Sequence, residues 1–197
     1  MDSQDYSSLP LNLPSVEEMR EYDNYTISNG IHSLELMKRA GEGIAKKIIS
    51  NYKPVKTLVL CGSGNNGGDG YIVAKILLEN GWDVTAISAT TDSIKEIISL
   101  IDSSSLIVDA LLGIGFTGKP RGKISEILDI LSKIDHKETK IISIDVPSGV
   151  NSDTGEVSAN SIKADETISI QYVKRGLLQY PAREKVGKIS CIDIGIT

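Results

Sequence analysis

The run Val59-Leu60-Cys61-Gly62-Ser63-Gly64-Asn65-Asn66-Gly67-Gly68-Asp69-Gly70 constrains this chain more than any other stretch. An apolar strand pattern enters five glycines in nine positions, interleaved with two asparagines and an aspartate. Glycine accepts positive φ and lets a backbone come close to a ligand, so the run reads as a tight, amide-lined loop. A helix-permissive stretch from Tyr71 to Leu78 follows, with Gly81 where a C-cap would fall. The loop amides are therefore expected at a helix N-terminus, where anions bind readily.

Gly62, Gly64 and Gly67 satisfy G-x-G-x-x-G directly after a strand, the dinucleotide fingerprint. The fit is partial. The acid that should hold a ribose belongs at the end of the second strand, and there the chain reads Ile87-Ser88-Ala89-Thr90, with Asp83 too early. A Walker A loop is excluded because no Lys-Ser or Lys-Thr follows the glycines. Asn65, Asn66 and Asp69 are thus the informative residues.

Six strand candidates run over 57–61, 83–88, 105–110, 140–145, 166–171 and 188–193, most of them nearly continuous apolar runs. Such runs suit strands covered on both faces, and helical patterns separate the first four, so right-handed crossovers and a parallel sheet follow. The connectors are Tyr71 to Asn80, Ser93 to Ile101, and Ile124 to Ile134. Ahead of the sheet, Ser15-Val16-Glu17-Glu18 has capping-box form and predicts a helix from Ser15 to before Gly30. Ser33 is expected to cap a second helix, with Leu34, Met37, Gly41, Ile44, Ala45 and Ile48 on one face and Lys53-Pro54 closing it. The expected fold is α/β: a Rossmann-like three-layer αβα sandwich with a mainly parallel sheet and two additional N-terminal helices. Those helices could cover a sheet face or make a dimer contact. The expected strand order is 2-1-3-4-5-6, because 3-2-1-4-5-6 would put the Asp109 strand two positions from the first and separate the polar loops.

With 197 residues, 40% hydrophobic and 24% charged, the chain is read as one domain over 1–197. Residues 1–14, with Leu9-Pro10 and Leu13-Pro14, are read as an N-terminal arm. A net charge of -5 with no Lys/Arg cluster argues against nucleic acid. No stretch approaches a membrane span, and the first fourteen residues match neither a signal nor a transit peptide. Cys61 and Cys191 fall in apolar strand patterns and read as buried, reduced thiols, which fits the cytoplasm. His32 and His136 have no partner motif and are treated as surface residues.

Three strands end in polar loops: 65–69 after the first, 109–122 after the third, and Asp145-Val146-Pro147-Ser148-Gly149 after the fourth. In an open parallel sheet these ends share one edge, beside which ligands bind. Taken singly, Asp109 and Asp145 could equally be strand-end acids accepting backbone hydrogen bonds, and Ser148 a helix cap. Lys119 and Arg121 could be phosphate or adenosine contacts or solvated surface charge. Tyr172 and Lys174 are candidate pocket residues.

Together with Met19-Arg20, Leu36-Met37 through Arg39-Ala40-Gly41, and Lys174-Arg175-Gly176-Leu177, these loops resemble the NAD(P)HX epimerases, the YjeF N-terminal domain family. The resemblance implies an isomerase that interconverts the R and S forms of hydrated NADH and NADPH (NADHX and NADPHX), a metabolite-repair reaction, with one bound potassium ion (K+) per subunit. It implies substrate contacts from Asn65, Asn66, Gly67, Gly68 and Asp69, from Gly113, Ile114, Gly115, Phe116, Thr117, Gly118 and Lys119, and from Asp145. Potassium would be held by Asn66, Asp109 and Ser148, whose oxygens suit a hard cation. Asp145 is the expected acid/base group and Asp69 the reserve, since an acid at a helix start more often caps it. Relatives commonly have Gly-Thr-Gly where this chain has Gly113-Ile114-Gly115, which removes one hydroxyl contact. Many are fused to a dehydratase domain that this chain is too short to carry, so a separate NAD(P)H-hydrate dehydratase is the expected functional partner, with a homodimer as the expected assembly. A non-catalytic binding or scaffold module and a nicotinamide oxidoreductase are the competing readings; the missing ribose acid and substrate domain weigh against the latter.

Overall fold

The computed structural model describes residues 12–196. Helix α1 (Val16–Ser28) opens with a reciprocal capping box: Glu18 N donates to Ser15 Oγ at 3.1 Å, and Ser15 N donates to Glu18 Oε2 at 2.6 Å. Helix α2 (Ser33–Asn51) starts one residue earlier than expected. His32 takes the cap position without a side-chain bond, and Ser33 is the first helical residue. Of the arm read over 1–14, residues 1–11 lie outside the described residues; 12–14 are neither helix nor strand, and Pro14 is buried.

The alternating elements then follow as β1 (Thr57–Cys61), α3 (Asn65–Glu79), β2 (Val84–Ser88), α4 (Ile94–Ser103), β3 (Leu106–Ala110), α5 (Gly122–Leu131), β4 (Lys140–Ile144), β5 (Glu166–Ile170) and β6 (Lys188–Ile192). All six strands pair in parallel, in the order β2-β1-β3-β4-β5-β6. The Asp109 strand thus lies beside the first, in the expected order, and register pairs Leu60 with Asp109.

Side chains alternate across a strand, so β1 serves two cores. Val59 and Cys61 face α2 and α3, packing with Ile44, Ile48, Val73 and Leu77. Leu58 and Leu60 face α4 and α5, packing with Ile97, Ile101, Ile127, Leu128 and Leu131. Helix α2 therefore covers a sheet face, while Met19 of α1 packs on Leu36, Ala40, Ile194 and Ile196 at the sheet's carboxyl edge. Both cysteines are free, Cys61 buried and Cys191 half-buried, and burial pushes the Cys61 thiol up to about 12. Among the described residues no helix is long and apolar enough to cross a membrane.

The glycine-rich run differs from its expected form. It is not an open loop: α3 begins at Asn65, and none of its glycines has a positive φ. What the glycines supply is close approach. A Cβ on Gly67 would lie 1.9 Å from the Gly62 carbonyl oxygen, and one on Gly62 would lie 2.0 Å from the Leu111 carbonyl oxygen. The first turn of α3 is thereby pressed onto the end of β1, and the β1 exit onto the β3 exit.

Gly67→Ala is expected to lose about 1–3 kcal/mol by overpacking against backbone that cannot move aside. Gly64→Ala, where a Cβ meets nothing within 4 Å, is expected to lose less than about 1 kcal/mol. Urea unfolding of the two variants measures the contrast.

Candidate active site

At the carboxyl edge of the sheet a cleft of about 730 Å³ opens between the strand-end loops and the two leading helices. The β1–α3 turn contributes Ser63, Gly64, Asn65 and Asn66, and α3 contributes Asp69 from its second turn. The β3 loop lays Leu111 to Phe116 along one wall, and Met19, Arg20 and Asp23 of α1 face it with Met37 of α2. Asp145 and Lys174 close the inner end.

Behind this wall Asp109, at the end of β3, is fully buried. Its carboxylate accepts from the Ser143 hydroxyl at 2.7 Å, Ser148 N at 2.9 Å, Leu111 N at 3.3 Å and the Ser148 hydroxyl. Burial pushes this carboxyl up and the four hydrogen bonds pull it back, with burial the larger. Ser148 Oγ in turn accepts from Leu112 N at 2.9 Å, and the Asn66 amide donates to Leu112 O at 3.2 Å. Ser148 thus joins Asp109 to Leu112 N, and Asn66 reaches Leu112 O from the other side, so the three side chains converge on the β3 exit. The described residues contain no group of three or more His, Cys, Asp or Glu that could hold a metal ion.

Asp145 follows β4 with φ of 66°, a left-handed conformation uncommon outside glycine. Three bonds to β5 hold it there: Asp145 N donates to Ile168 O at 2.8 Å, Ser169 Oγ to Asp145 O at 3.2 Å, and Ile170 N to Asp145 Oδ1 at 2.9 Å. The same Oδ1 forms a buried ion pair with Lys174 Nζ, which also donates to Ile170 O at 2.8 Å. Lys174 is only 1% exposed. Asp69, buried nearby, has its carboxyl pushed up to about 8, by burial first and then by the Asp145 and Asp23 charges, with Lys174 opposing. Asp23 is shifted upward as well, again mainly by burial. Asp69 thus lines the cleft as a buried acid in place of the expected helix cap.

Of the residues the resemblance implies, the cleft wall receives Asn65, Asn66, Asp69, Gly113, Ile114, Gly115, Phe116 and Asp145. Gly67 and Gly68 turn instead toward Gly62 and Met37, as packing positions. Thr117, Gly118 and Lys119 are exposed beyond the cleft, and Arg121 caps α5. Tyr172 packs on Tyr22 with ring centroids 6.0 Å apart, outside the wall. Asp23 was missed because nothing around it in sequence marks it. His136, read as a surface residue, is half-buried at the far end of the sheet, with Nδ1 2.8 Å from Asp165 Oδ2.

An all-parallel sheet with helices on both faces and a cleft on its carboxyl edge defines a Rossmann-like α/β protein built to hold a small molecule. The chain belongs to the family described as YjeF-related protein N-terminus, whose model matches residues 33–96 and 89–176. It is similar to an NAD(P)H-hydrate epimerase of Lentilactobacillus buchneri, at 37% identity over 92% of this chain and 94% of that protein. It is also similar to a bifunctional NAD(P)H-hydrate repair enzyme of Thermanaerovibrio acidaminovorans, at 28% identity over 95% of this chain and 41% of that longer protein. Among solved structures it matches the yeast protein YNL200c with a TM-score of 0.74 and 22% identity, over 93% of this chain and 88% of the other, which shows the shared fold.

The Asp69 carboxyl implies a pH dependence of stability. Its folded value is raised from 3.8 to about 8, so between those values the native protein holds a proton that the unfolded chain has released. That stabilisation is full below about pH 4 and is lost as pH rises through 8. Asp69→Asn is expected to flatten this slope in urea melts taken across the same range.

Proposed function

We propose that this chain interconverts the R and S forms of hydrated NADH and NADPH. The observation that carries the proposal is a pair of buried carboxyls in different settings, Asp145 ion-paired to Lys174 and Asp69 without an ion-pair partner, at the inner end of a cleft whose mouth lies at a helix N-terminus. The relatives named NAD(P)H-hydrate epimerase support it. The α3 terminus offers backbone N–H groups and a positive dipole end to phosphate, which leaves the hydrated ring for the carboxyls.

In the hydrated ring the epimeric carbon bears a hydroxyl next to the ring nitrogen. Proton donation to that hydroxyl releases water and leaves a cationic ring, and return of water to the other face inverts the centre. A carboxylate at the inner end stabilises the cation, and a carboxyl there can move the protons, as hydroxyl and amide side chains cannot at neutral pH. Asp145 stands at the centre of this scheme.

Asn66, Asp109 and Ser148 fit a potassium ion by donor type: amide, carboxylate and hydroxyl oxygens with one formal charge. When bound, the ion would add positive charge behind the β3 wall. The reading extends to a homodimer, to a cytoplasmic setting that the free thiols suit, and to a separate NAD(P)H-hydrate dehydratase as functional partner, in keeping with the longer relative named as a bifunctional repair enzyme. The missing ribose acid after β2 disfavours an oxidoreductase.

Hydrated NADH enriched in one epimer, followed by chromatography, is the direct test. The protein with potassium is expected to restore the R/S balance far faster than buffer does, and no acceleration would refute the activity. Asp145→Asn is expected to lose about 10²–10⁴ in rate while still folding and binding. Asp109→Ala is expected to lose the thermal stabilisation that potassium gives over a bulky organic cation; equal stabilisation in wild type and variant would remove the ion from this site.

A further inference from the structure

Four ionisable side chains from four separate segments meet at the inner end of the cleft: Asp23 from α1, Asp69 from α3, Asp145 after β4 and Lys174 after β5. Three acids share one ammonium, and the sharing is unequal. Lys174 spends its contacts on Asp145 Oδ1 and Ile170 O, and Oδ1 also takes Ile170 N. No hydrogen bond among the described residues reaches Asp145 Oδ2, which stays free for the cleft. Asp69 has no ion pair and no side-chain hydrogen bond among the described residues, although it is 7% exposed and lines the same cleft.

Two buried carboxyls that line one cleft and feel each other's charge do not both ionise without cost, and a cation fixed on one decides which carries the charge. Here the cation is fixed on Asp145 by a lysine that is itself buried, so the pairing cannot shift to Asp69 without rebuilding the β4 and β5 loop ends. The neutral carboxylic acid is then the one with no partner. Burial and the Asp145 and Asp23 charges all favour the protonated form of Asp69, against Lys174 alone.

Resting on the epimerase reading, we propose that the two carboxyls divide the chemistry: Asp69 is the acid that protonates the departing hydroxyl, and Asp145, held as an anion by Lys174, stabilises the cationic ring and receives the proton of the entering water. Asp69 gives its proton to the hydroxyl oxygen. The carbon–oxygen bond breaks with its electron pair on oxygen, and the ring nitrogen's lone pair forms the carbon–nitrogen double bond. Water adds to the opposite face, that π pair returns to nitrogen, and the water's proton passes to Asp145. One proton carried from Asp145 to Asp69 through solvent restores the starting state, so atoms and charge balance over the cycle. Lys174 acts through Asp145 as a positioning residue. Asp23, half-exposed at the cleft wall, adds negative charge that keeps the Asp69 proton in place.

Two measurements test the division. Carboxyl ¹³C NMR of aspartate-labelled protein, with assignments from Asp69→Asn and Asp145→Asn, reads each proton without any turnover. At pH 7 the Asp69 signal is expected in its protonated position, moving only as pH passes about 8, with the Asp145 signal in its ionised position. An ionised Asp69 at pH 6, or a protonated Asp145 at pH 7, overturns the proposal. The pH profile of epimerisation is expected to fall on the alkaline side in wild type as Asp69 loses its proton. Asp69→Asn should lose about 10²–10⁴ in rate together with that alkaline limb. An Asp69→Asn enzyme within a few-fold of wild type, or one that keeps the alkaline limb, also overturns it. Wild type with the expected NMR pattern and no epimerisation at any pH would instead refute the epimerase reading and leave the proton assignment standing.

Discussion

The buried Asp109 carboxylate is the interaction on which the site depends. It ends β3, yet its four donors come from the body of β4, the loop beyond β4, and its own exit turn. A carboxyl this deep is tolerable only when its oxygens meet donors, so the two loops are held wherever those donors must stand. That requirement fixes Leu111 and Leu112, and through them the wall from Gly113 to Phe116. It also anchors Ser148, three residues beyond Asp145, so the left-handed turn at Asp145 is held from both sides. Glycine at 62 then lets the β1 exit lie directly on Leu111, and the three loops become one surface.

Charge gives that surface a direction. The inner end holds the Asp23 and Asp145 carboxylates against a single committed ammonium, with Asp69 keeping its proton, and that negative balance repels phosphate and attracts a ring that becomes cationic. The amides at the start of α3 and Arg20, whose guanidinium lies 3.5 Å from where a Gly115 Cβ would stand, form the opposite field. A nucleotide with an anionic tail and a nitrogen ring thus has one favourable orientation in the cleft.

Strand limits were legible to within a residue because buried parallel strands are written as apolar runs, and the order followed from the need for polar loops to meet. The capping box at Ser15 was legible for the same reason: its chemistry is local. What escaped was set by distant partners. Nothing near Gly67 announces that its neighbour is the Gly62 carbonyl and that the run is helical. Asp69 looked like a cap because the helix start was placed after it, and Lys174 became a buried ion-pair partner only once β5 lay beside β4. Asp23 precedes the first strand by more than thirty residues, so no spacing rule ties it to the strand ends.

The cleft wall joins segments more than a hundred residues apart in sequence. Met19 packs on Ile194 and Ile196, Val16 N donates to Asp153 Oδ1 at 2.9 Å, and Arg39 reaches Ile194 O at 3.2 Å. During synthesis α1 emerges well before Ile194 and Ile196 and must wait for them, since domains gain their long-range contacts only when the distant segments are available. The sheet's first strands can pair before then, but the cleft cannot. Possession of a ligand pocket therefore waits on residues as late as Ile196, and a chain made only through β4 would present strands without that enclosure.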